Sequence, residues 1–205
     1  PFRNLGIYNW VVKSDFEKAQ AFYEQAIKAR PEDQTLYRDL AEILIANDQP
    51  QKAIQVLEKT PYKKLKRADI IIMLAQTYFN EKQFDDAIKL LESTPYFVNW
   101  EGQMITWDLF NHSHIERGKQ RFDKKEFTLA MEDFEAALTY PENIGVGRSN
   151  TPREAPALYW KGMVLQLLGQ NDKAILAWKA GAASPESSDE QNEFIKMCRQ
   201  KLDES

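Results

Sequence analysis

Cysteine is almost absent from this chain. The single thiol, Cys198, cannot form a disulfide within the chain, which is compatible with a reducing compartment, and we expect a cytoplasmic location. Long hydrophobic runs are also missing. No stretch of about 18 or more apolar residues occurs, so the sequence excludes a membrane-spanning helix.

An excess of charge of one sign is missing too. The 27 basic and 31 acidic residues are mixed along the chain, and the net charge is −4. Nucleic-acid-binding proteins usually carry a concentrated basic surface, so we predict no nucleic-acid partner. The densest basic cluster contains Lys63, Lys64, Lys66 and Arg67. Its simplest interpretation is a solvated helix start, and the alternative is a docking patch for an acidic partner.

Residues with catalytic or metal-binding chemistry are sparse. His112 and His114 are the only histidines, and a spacing of two places them about 200° apart around a helix. They therefore cannot hold one metal ion from a regular helix, and we expect one to be partly buried and one to face solvent. We interpret Cys198 as a buried structural thiol. The neighbouring Glu132 and Asp133 are interpreted as solvent-facing. The sequence thus predicts no enzyme activity, no catalytic residue, no metal site and no cofactor.

A regular period runs through what is present. Ala19, Ala53 and Ala87 follow one another at intervals of 34 residues, each after a polar turn and before a proline that closes the unit. Two looser copies contain Ala130 and Ala174, at intervals of 43 and 44 residues. A fixed period of this size indicates stacked helical repeats with insertions before the last two units.

This pattern resembles the tetratricopeptide repeat (TPR) family, whose unit is two antiparallel helices in 34 residues. The resemblance implies an all-α fold, an α-α superhelix of about five TPR-like helix pairs with a C-terminal capping helix. It implies a single solenoid over residues 1–205, with repeats at about 1–31, 32–61, 66–95, 102–141 and 154–184 and the capping helix at about 188–202. Because the first residue is Pro1, we expect a fragment of a longer chain.

A narrower resemblance concerns the two insertions. Residues 140–148 and 159–162, together with Trp100, Glu101 and Gly102, resemble the C-terminal repeat region of large bacterial proteins that carry a domain of unknown function. This resemblance implies an alternative role, that of a non-catalytic accessory domain in a larger bacterial, carbohydrate-related enzyme.

The concave groove of TPR arrays is lined by the first helix of each repeat. The resemblance therefore implies a protein-interaction scaffold that binds a peptide or a neighbouring domain there, including the N-terminal part of the same parent chain. Placed by repeat position, the candidate groove residues are Tyr8, Arg38, Glu42, Gln76, Lys119 and Tyr159. Asp39, Asp69 and Met73 occupy positions where carboxylate-clamp members of the family have other residues, so a chaperone C-terminal tail is not the expected ligand.

The insertions supply further candidate contacts. Trp100 and Trp107 lie off the repeat period, and aromatic residues concentrate at interface hot spots. Arg148 follows the glycines of the second insertion, which we interpret as a loop. It is suited either to anchoring an acidic group or to capping a helix C-terminus. By contrast, we expect Trp10 and Trp178 to be buried, since they lie at positions that the family buries.

Overall fold

The computed structural model describes residues 1–61, 67–97 and 103–205. These residues form eleven α-helices and no strand, which confirms the all-α prediction. In order, the helices are α1 (Phe2–Ile7), α2 (Phe16–Ala29), α3 (Gln34–Ala46), α4 (Pro50–Glu58), α5 (Ala68–Asn80), α6 (Phe84–Ser93), α7 (Ile105–Asp123), α8 (Phe127–Ala136), α9 (Ala155–Leu167), α10 (Asn171–Ala182) and α11 (Asp189–Asp203). A π-helical stretch at Tyr8–Val12 extends α1, and a 3-10 turn spans Glu142–Ile144.

Two compact units make up the chain, Pro1–Leu90 (unit 1) and Leu91–Ser205 (unit 2). The predicted basic cluster at Lys63, Lys64 and Lys66 lies outside the described residues, as do Trp100, Glu101 and Gly102. Among the residues described, no helix is both long enough and apolar enough to cross a membrane.

Local sequence sets where several helices begin. The side chains of Asp15, Asp33 and Ser188 each accept a hydrogen bond from a backbone N–H two or three residues later, at 3.0, 3.1 and 3.2 Å. Pro50 is the first residue of α4, where its missing N–H costs nothing. The capping side chains of the two aspartates and the serine satisfy N–H groups that the first turn of a helix leaves without partners.

The turn inside each helix pair repeats one backbone conformation. It passes through a single left-handed residue with φ between 52° and 72°, which is Ser14, Asp48, Lys82, Lys125 or Gly169. Each of these residues precedes the alanine of the repeat pattern by five positions. Only one of the five is glycine, the residue that adopts this conformation without strain, so the turn geometry is kept although the residue type changes.

Small residues sit where the two helices of a pair meet. All five alanines of the pattern are fully buried, as their spacing predicts, namely Ala19, Ala53, Ala87, Ala130 and Ala174. Three first helices also present a glycine directly to an aromatic ring of the second helix. A Cβ added to the glycine would lie 2.5 Å from the ring for Gly6 and Tyr23, 2.6 Å for Gly118 and Phe134, and 2.2 Å for Gly162 and Trp178. In the second pair the same positions hold Ala41 and Leu57, both fully buried. The sizes of the two facing residues are therefore matched: glycine on the first helix faces an aromatic ring on the second, and alanine faces leucine.

The second insertion is fixed to the rest of unit 2. Ile144 is fully buried. The Asn143 side-chain amide donates to the carbonyl oxygens of Leu91 (2.9 Å) and Thr94 (2.8 Å), and the Phe97 N–H donates to the Asn143 carbonyl at 2.8 Å. The loop predicted from its Gly, Asn and Pro content is therefore irregular in backbone but held by part-buried hydrogen bonds.

Candidate functional site: the first-helix face of unit 1

Ion pairs connect the first helices of unit 1. Arg3 at the start of α1 donates from Nε to Asp39 Oδ2 on α3 at 2.8 Å. Arg38 on α3 donates from Nη1 to Asp69 Oδ2 on α5 at 3.2 Å. We call the surface formed by Arg3, Arg38, Glu42, Asp69 and Gln76 the first-helix face. It corresponds to the helices that the TPR resemblance assigns to the groove.

Asp39 is the centre of this network. Its side chain is buried and accepts hydrogen bonds from Arg3, from Arg38 (Nη2 to Oδ1, 2.6 Å) and from the Tyr23 hydroxyl (3.3 Å). Burial, reinforced by the negative charge of Asp39, raises the pKa of Tyr23 to about 12, so this hydroxyl keeps its proton. Because two guanidinium groups and a hydroxyl already occupy the carboxylate, Asp39 holds helices together and has little capacity left for a ligand.

Arg38, a predicted groove residue, is largely committed to these internal contacts. Its side chain is only 26% exposed and touches both Asp39 and Asp69. The hydrogen bond to Asp39 raises the pKa of Arg38 further. Arg67 adds a second cation on Asp69, with Nη2 2.9 Å from Oδ2. Arg38 therefore links the helices of the face and presents little free charge to a partner.

Glu42 differs from Arg38 in having an open carboxylate. It is half-buried one turn after Arg38, and it accepts no hydrogen bond within the described part of the chain. Burial raises the pKa of Glu42, and the nearby Arg38 only partly offsets this effect. Ile45, on the same side of α3, is 38% exposed. Gln76 takes the equivalent position on α5, where it is exposed and donates to Asn80 at 2.9 Å.

Two further predicted groove residues are accessible. Tyr8 lies on the π-helical stretch with 47% of its surface exposed. Lys119 belongs to unit 2, where it is half-buried on α7 and forms an ion pair with Glu116 at 2.6 Å.

Two predicted contact residues are in the core instead, and these expectations are corrected. Tyr159 is 8% exposed because α11 covers it, and its ring lies 5.5 Å from the ring of Phe194. Trp107 is fully buried, stacks on Tyr140 at 4.8 Å and donates its indole N–H to a backbone carbonyl at 2.8 Å. Both side chains stabilise unit 2 and are not available to a partner. Trp178, expected to be buried, is 1% exposed, whereas Trp10, also expected to be buried, is only half-buried against the core of unit 1.

Arg148 anchors an acidic group, which was one of the two roles left open for it. Its guanidinium donates to both oxygens of Glu154 at 2.8 and 2.7 Å, and the Tyr140 hydroxyl donates to the same carboxylate at 2.9 Å. Burial alone would raise the pKa of Glu154, but the hydrogen bonds from Arg148 and Tyr140 outweigh it, and the net pKa is lowered. This ion pair closes the second insertion onto the start of α9.

The sequence interpretation missed a buried charge cluster in unit 2. Asp133, expected to face solvent, is 1% exposed. It contacts His114 Nδ1 (3.0 Å), Arg117 Nη2 (2.6 Å) and Arg121 Nη1 (2.8 Å) on α7. A signal existed, because the three donors are spaced by three and four residues and so share one face of a helix. His114 is buried and His112 half-buried, so the expectation of one solvent-facing histidine was wrong. No group of three metal-ligating side chains is assembled within the described residues.

Comparison with known families agrees with this geometry. Residues 13–68, which include the left-handed turns at Ser14 and Asp48, match the family model of the tetratricopeptide repeat. Residues 13–68 carry the tetratricopeptide repeat. Together with the buried alanines and the repeated turn, this match confirms the predicted TPR resemblance.

Solved structures show the same repeat fold. The crystal structure of MamA aligns over 98% of this chain and 98% of its own, with 18% identity and a TM-score of 0.52. YrrB, described as a TPR protein with an unusual peptide-binding site, aligns over 100% and 91% with 16% identity and a TM-score of 0.52. The structure of Naa15/Naa10 bound to HypK-THB aligns over 97% of this chain and 28% of the other, with 15% identity and a TM-score of 0.57. At these identities the likeness establishes the TPR fold.

Proposed function

We propose that this TPR protein is a non-catalytic scaffold that binds a peptide or a neighbouring domain on the first-helix face of unit 1. The observation that carries the proposal is Glu42, a half-buried carboxylate that accepts no hydrogen bond within the described residues. Arg38 lies beside it, but Asp39 and Asp69 already engage its guanidinium. Ion pairs therefore link the helices of this face, and Glu42 is left as an open acceptor.

The chemistry of this face indicates the kind of ligand. A partly desolvated carboxylate gains most from a charged donor, because hydrogen bonds between ions are stronger than those between neutral groups. Ile45 offers exposed apolar surface three residues from Glu42, and Gln76 offers an amide on the neighbouring first helix. A suitable ligand thus has a Lys or Arg next to an apolar side chain. A cytoplasmic partner and a segment of the same parent chain both remain within this proposal.

The experiment compares the wild-type protein with a Glu42→Gln variant, which keeps the shape of the side chain and removes its charge. Proteins captured from the native host by the wild type are identified, purified and titrated against both forms. We expect Glu42→Gln to weaken binding about tenfold, since a hydrogen bond to a charged group contributes about 1.5–3 kcal/mol. Gln55→Ala, an exposed site on α4, is the matched control and should bind like the wild type.

The outcome of these titrations decides the proposal. Equal affinity of Glu42→Gln and the wild type for every captured protein would contradict it. Capture of the preceding part of a parent chain would favour the accessory-domain alternative, provided that the interaction depends on Glu42.

A further inference from the structure

A cleft lies in unit 2, on the side of the second helices. It measures about 670 Å³ and opens between α8 and α10, with α9 beneath it. Its apolar lining consists of Met131, Leu158, Leu165, Leu168, Leu176 and Ala177. Its charged lining consists of Glu132, Glu135, Lys161 and Lys173. None of these residues belongs to the first-helix face, so the cleft is a separate surface.

Unit 1 contains the equivalent cleft, and the comparison shows what is different in unit 2. Between α2 and α4 the cleft measures only about 180 Å³. The two clefts occupy equivalent positions of the repeat. In unit 1 Lys52 donates a hydrogen bond to Gln49 at 2.7 Å, and in unit 2 the equivalent Lys173 donates to Gln170 at 2.9 Å. Two polar lining residues of unit 1 are apolar in unit 2, where Met131 replaces Gln20 and Leu176 replaces Gln55. The unit 2 cleft is thus larger and is apolar at these two positions, although Lys161 stands where unit 1 has Leu40.

Two of the lining leucines are accessible, while Leu165 is buried at the base of the cleft. Leu176 is 64% exposed and Leu168 is 44% exposed. Exposed apolar side chains gathered in a cleft with charged rims are typical of protein interaction sites. A space of 670 Å³ holds about four apolar side chains, given that a cavity of about 150 Å³ accommodates one benzene ring. An amphipathic helix presents such a set at positions i, i+3, i+4 and i+7.

The charged residues at the edge of the cleft indicate which side chains a docked amphipathic helix would place beside them. On the α8 side, Glu132 is exposed and accepts no hydrogen bond within the described residues, whereas Glu135 is already paired with Lys161 at 2.9 Å. On the α10 side, Lys173 contributes a cation. We propose that this cleft docks an amphipathic α-helix of a partner protein, with about four apolar side chains in the cleft and a Lys or Arg next to Glu132. This inference goes beyond the proposed function and does not depend on it.

The test uses a displayed library of 14-residue helices that share a fixed apolar stripe at i, i+3, i+4 and i+7 and vary in the charges on either flank. The library is selected on the intact 205-residue chain, and the dissociation constants of the enriched peptides are then measured. We expect enrichment of peptides with Lys or Arg on one flank. Leu176→Gln, which installs the residue that unit 1 has at this position, should weaken binding about tenfold. Leu129→Gln alters an exposed leucine of α8 outside the cleft and should have no effect.

Charge reversal gives a second, independent readout. Glu132→Lys should lower the affinity for peptides with a basic flank and raise it for the same peptides with Glu on that flank. No enrichment, equal binding to Leu176→Gln, or indifference to flank charge would each overturn the proposal. Self-association that Leu176→Gln abolishes would also overturn it, since the occupant would then be a second copy of this chain. Glu42→Gln should leave peptide affinity unchanged, which separates this site from the first-helix face.

Discussion

Adding one methyl group at Gly162 tests the close approach of helices in the last pair. A Cβ there would lie 2.2 Å from Nε1 of Trp178, with two more ring atoms at 2.6 and 2.7 Å. The ring cannot easily move, because Trp178 is 1% exposed and its indole N–H donates to a backbone carbonyl at 3.2 Å. Gly162→Ala gains about 1 kcal/mol of helix propensity but costs up to about 3 kcal/mol in overpacking. We expect a net loss of about 2 kcal/mol.

The second pair of the chain suggests a rescue. It holds Ala41 and Leu57 at the equivalent positions, both fully buried. Trp178→Leu alone should cost about 3 kcal/mol, since it leaves a cavity beside Gly162. In the double variant the new methyl group fills part of that cavity. We therefore expect the double variant to be at least about 1 kcal/mol more stable than the sum of the single losses predicts, which is within the range measured for residues in contact.

Urea unfolding followed by circular dichroism and tryptophan fluorescence measures these free energies. Gly147→Ala is the control, because nothing lies within 4 Å of a Cβ at that position, and its effect should be below about 0.5 kcal/mol. Stabilisation by Gly162→Ala would refute the reasoning, since it would mean that the helices leave room for a methyl group. Additive single losses would refute the size matching between Gly162 and Trp178.

Three further predictions concern buried groups of unit 2. Asp133→Ala should destabilise the protein by about 3–5 kcal/mol in urea unfolding, because three donors lose a buried partner, whereas its exposed neighbour Glu132→Ala should cost less than about 0.5 kcal/mol. Burial raises the pKa of Asp133, but hydrogen bonds from His114 and Arg117 outweigh burial, and the net pKa is lowered. The ionised Asp133 therefore stabilises the fold above the unfolded pKa of about 4, and this stabilisation is lost as the pH falls through the lower folded pKa. An acid titration of stability should therefore flatten in Asp133→Asn, and an unchanged profile would contradict this assignment. Burial raises the pKa of the Cys198 thiol to about 12, so iodoacetamide should label it only in denaturant, and rapid labelling of the native protein would show that the site opens.

The parts of the fold that follow from local pattern could be predicted. The 34-residue interval of the alanines predicted the helix-helix contacts, and the polar turn before Ala19 contains Asp15, which caps α2. Arg38 and Glu42 are four residues apart and so share one side of α3, and their assignment to a binding groove stays a prediction. The narrower resemblance to bacterial repeat regions stays a prediction.

Contacts between residues distant in the sequence could not be predicted. Arg38 is joined to Asp69 across 31 positions, and this contact, which the repeat pattern does not reveal, engages its guanidinium. Repeat position alone assigns Tyr159 to the groove, but its burial depends on α11, whose Phe194 lies 35 residues later in the sequence. Asp133 is a different kind of error. Its position three residues after the buried Ala130 and directly before the buried Phe134 already assigned it to the inner side of α8.

The repeated left-handed turn determines where this chain tolerates added length. The second insertion falls between helix pairs and part of the first lengthens α7 to 19 residues, while the connection inside each pair keeps five residues from its left-handed position to the buried alanine. One extra residue after Lys125 would rotate α8 by about 100° and carry Ala130 out of the contact, since a helix has about 3.6 residues per turn. The helix pair is therefore the unit that can be deleted, duplicated or grafted in this protein, with the boundaries of each change placed in the segments between pairs.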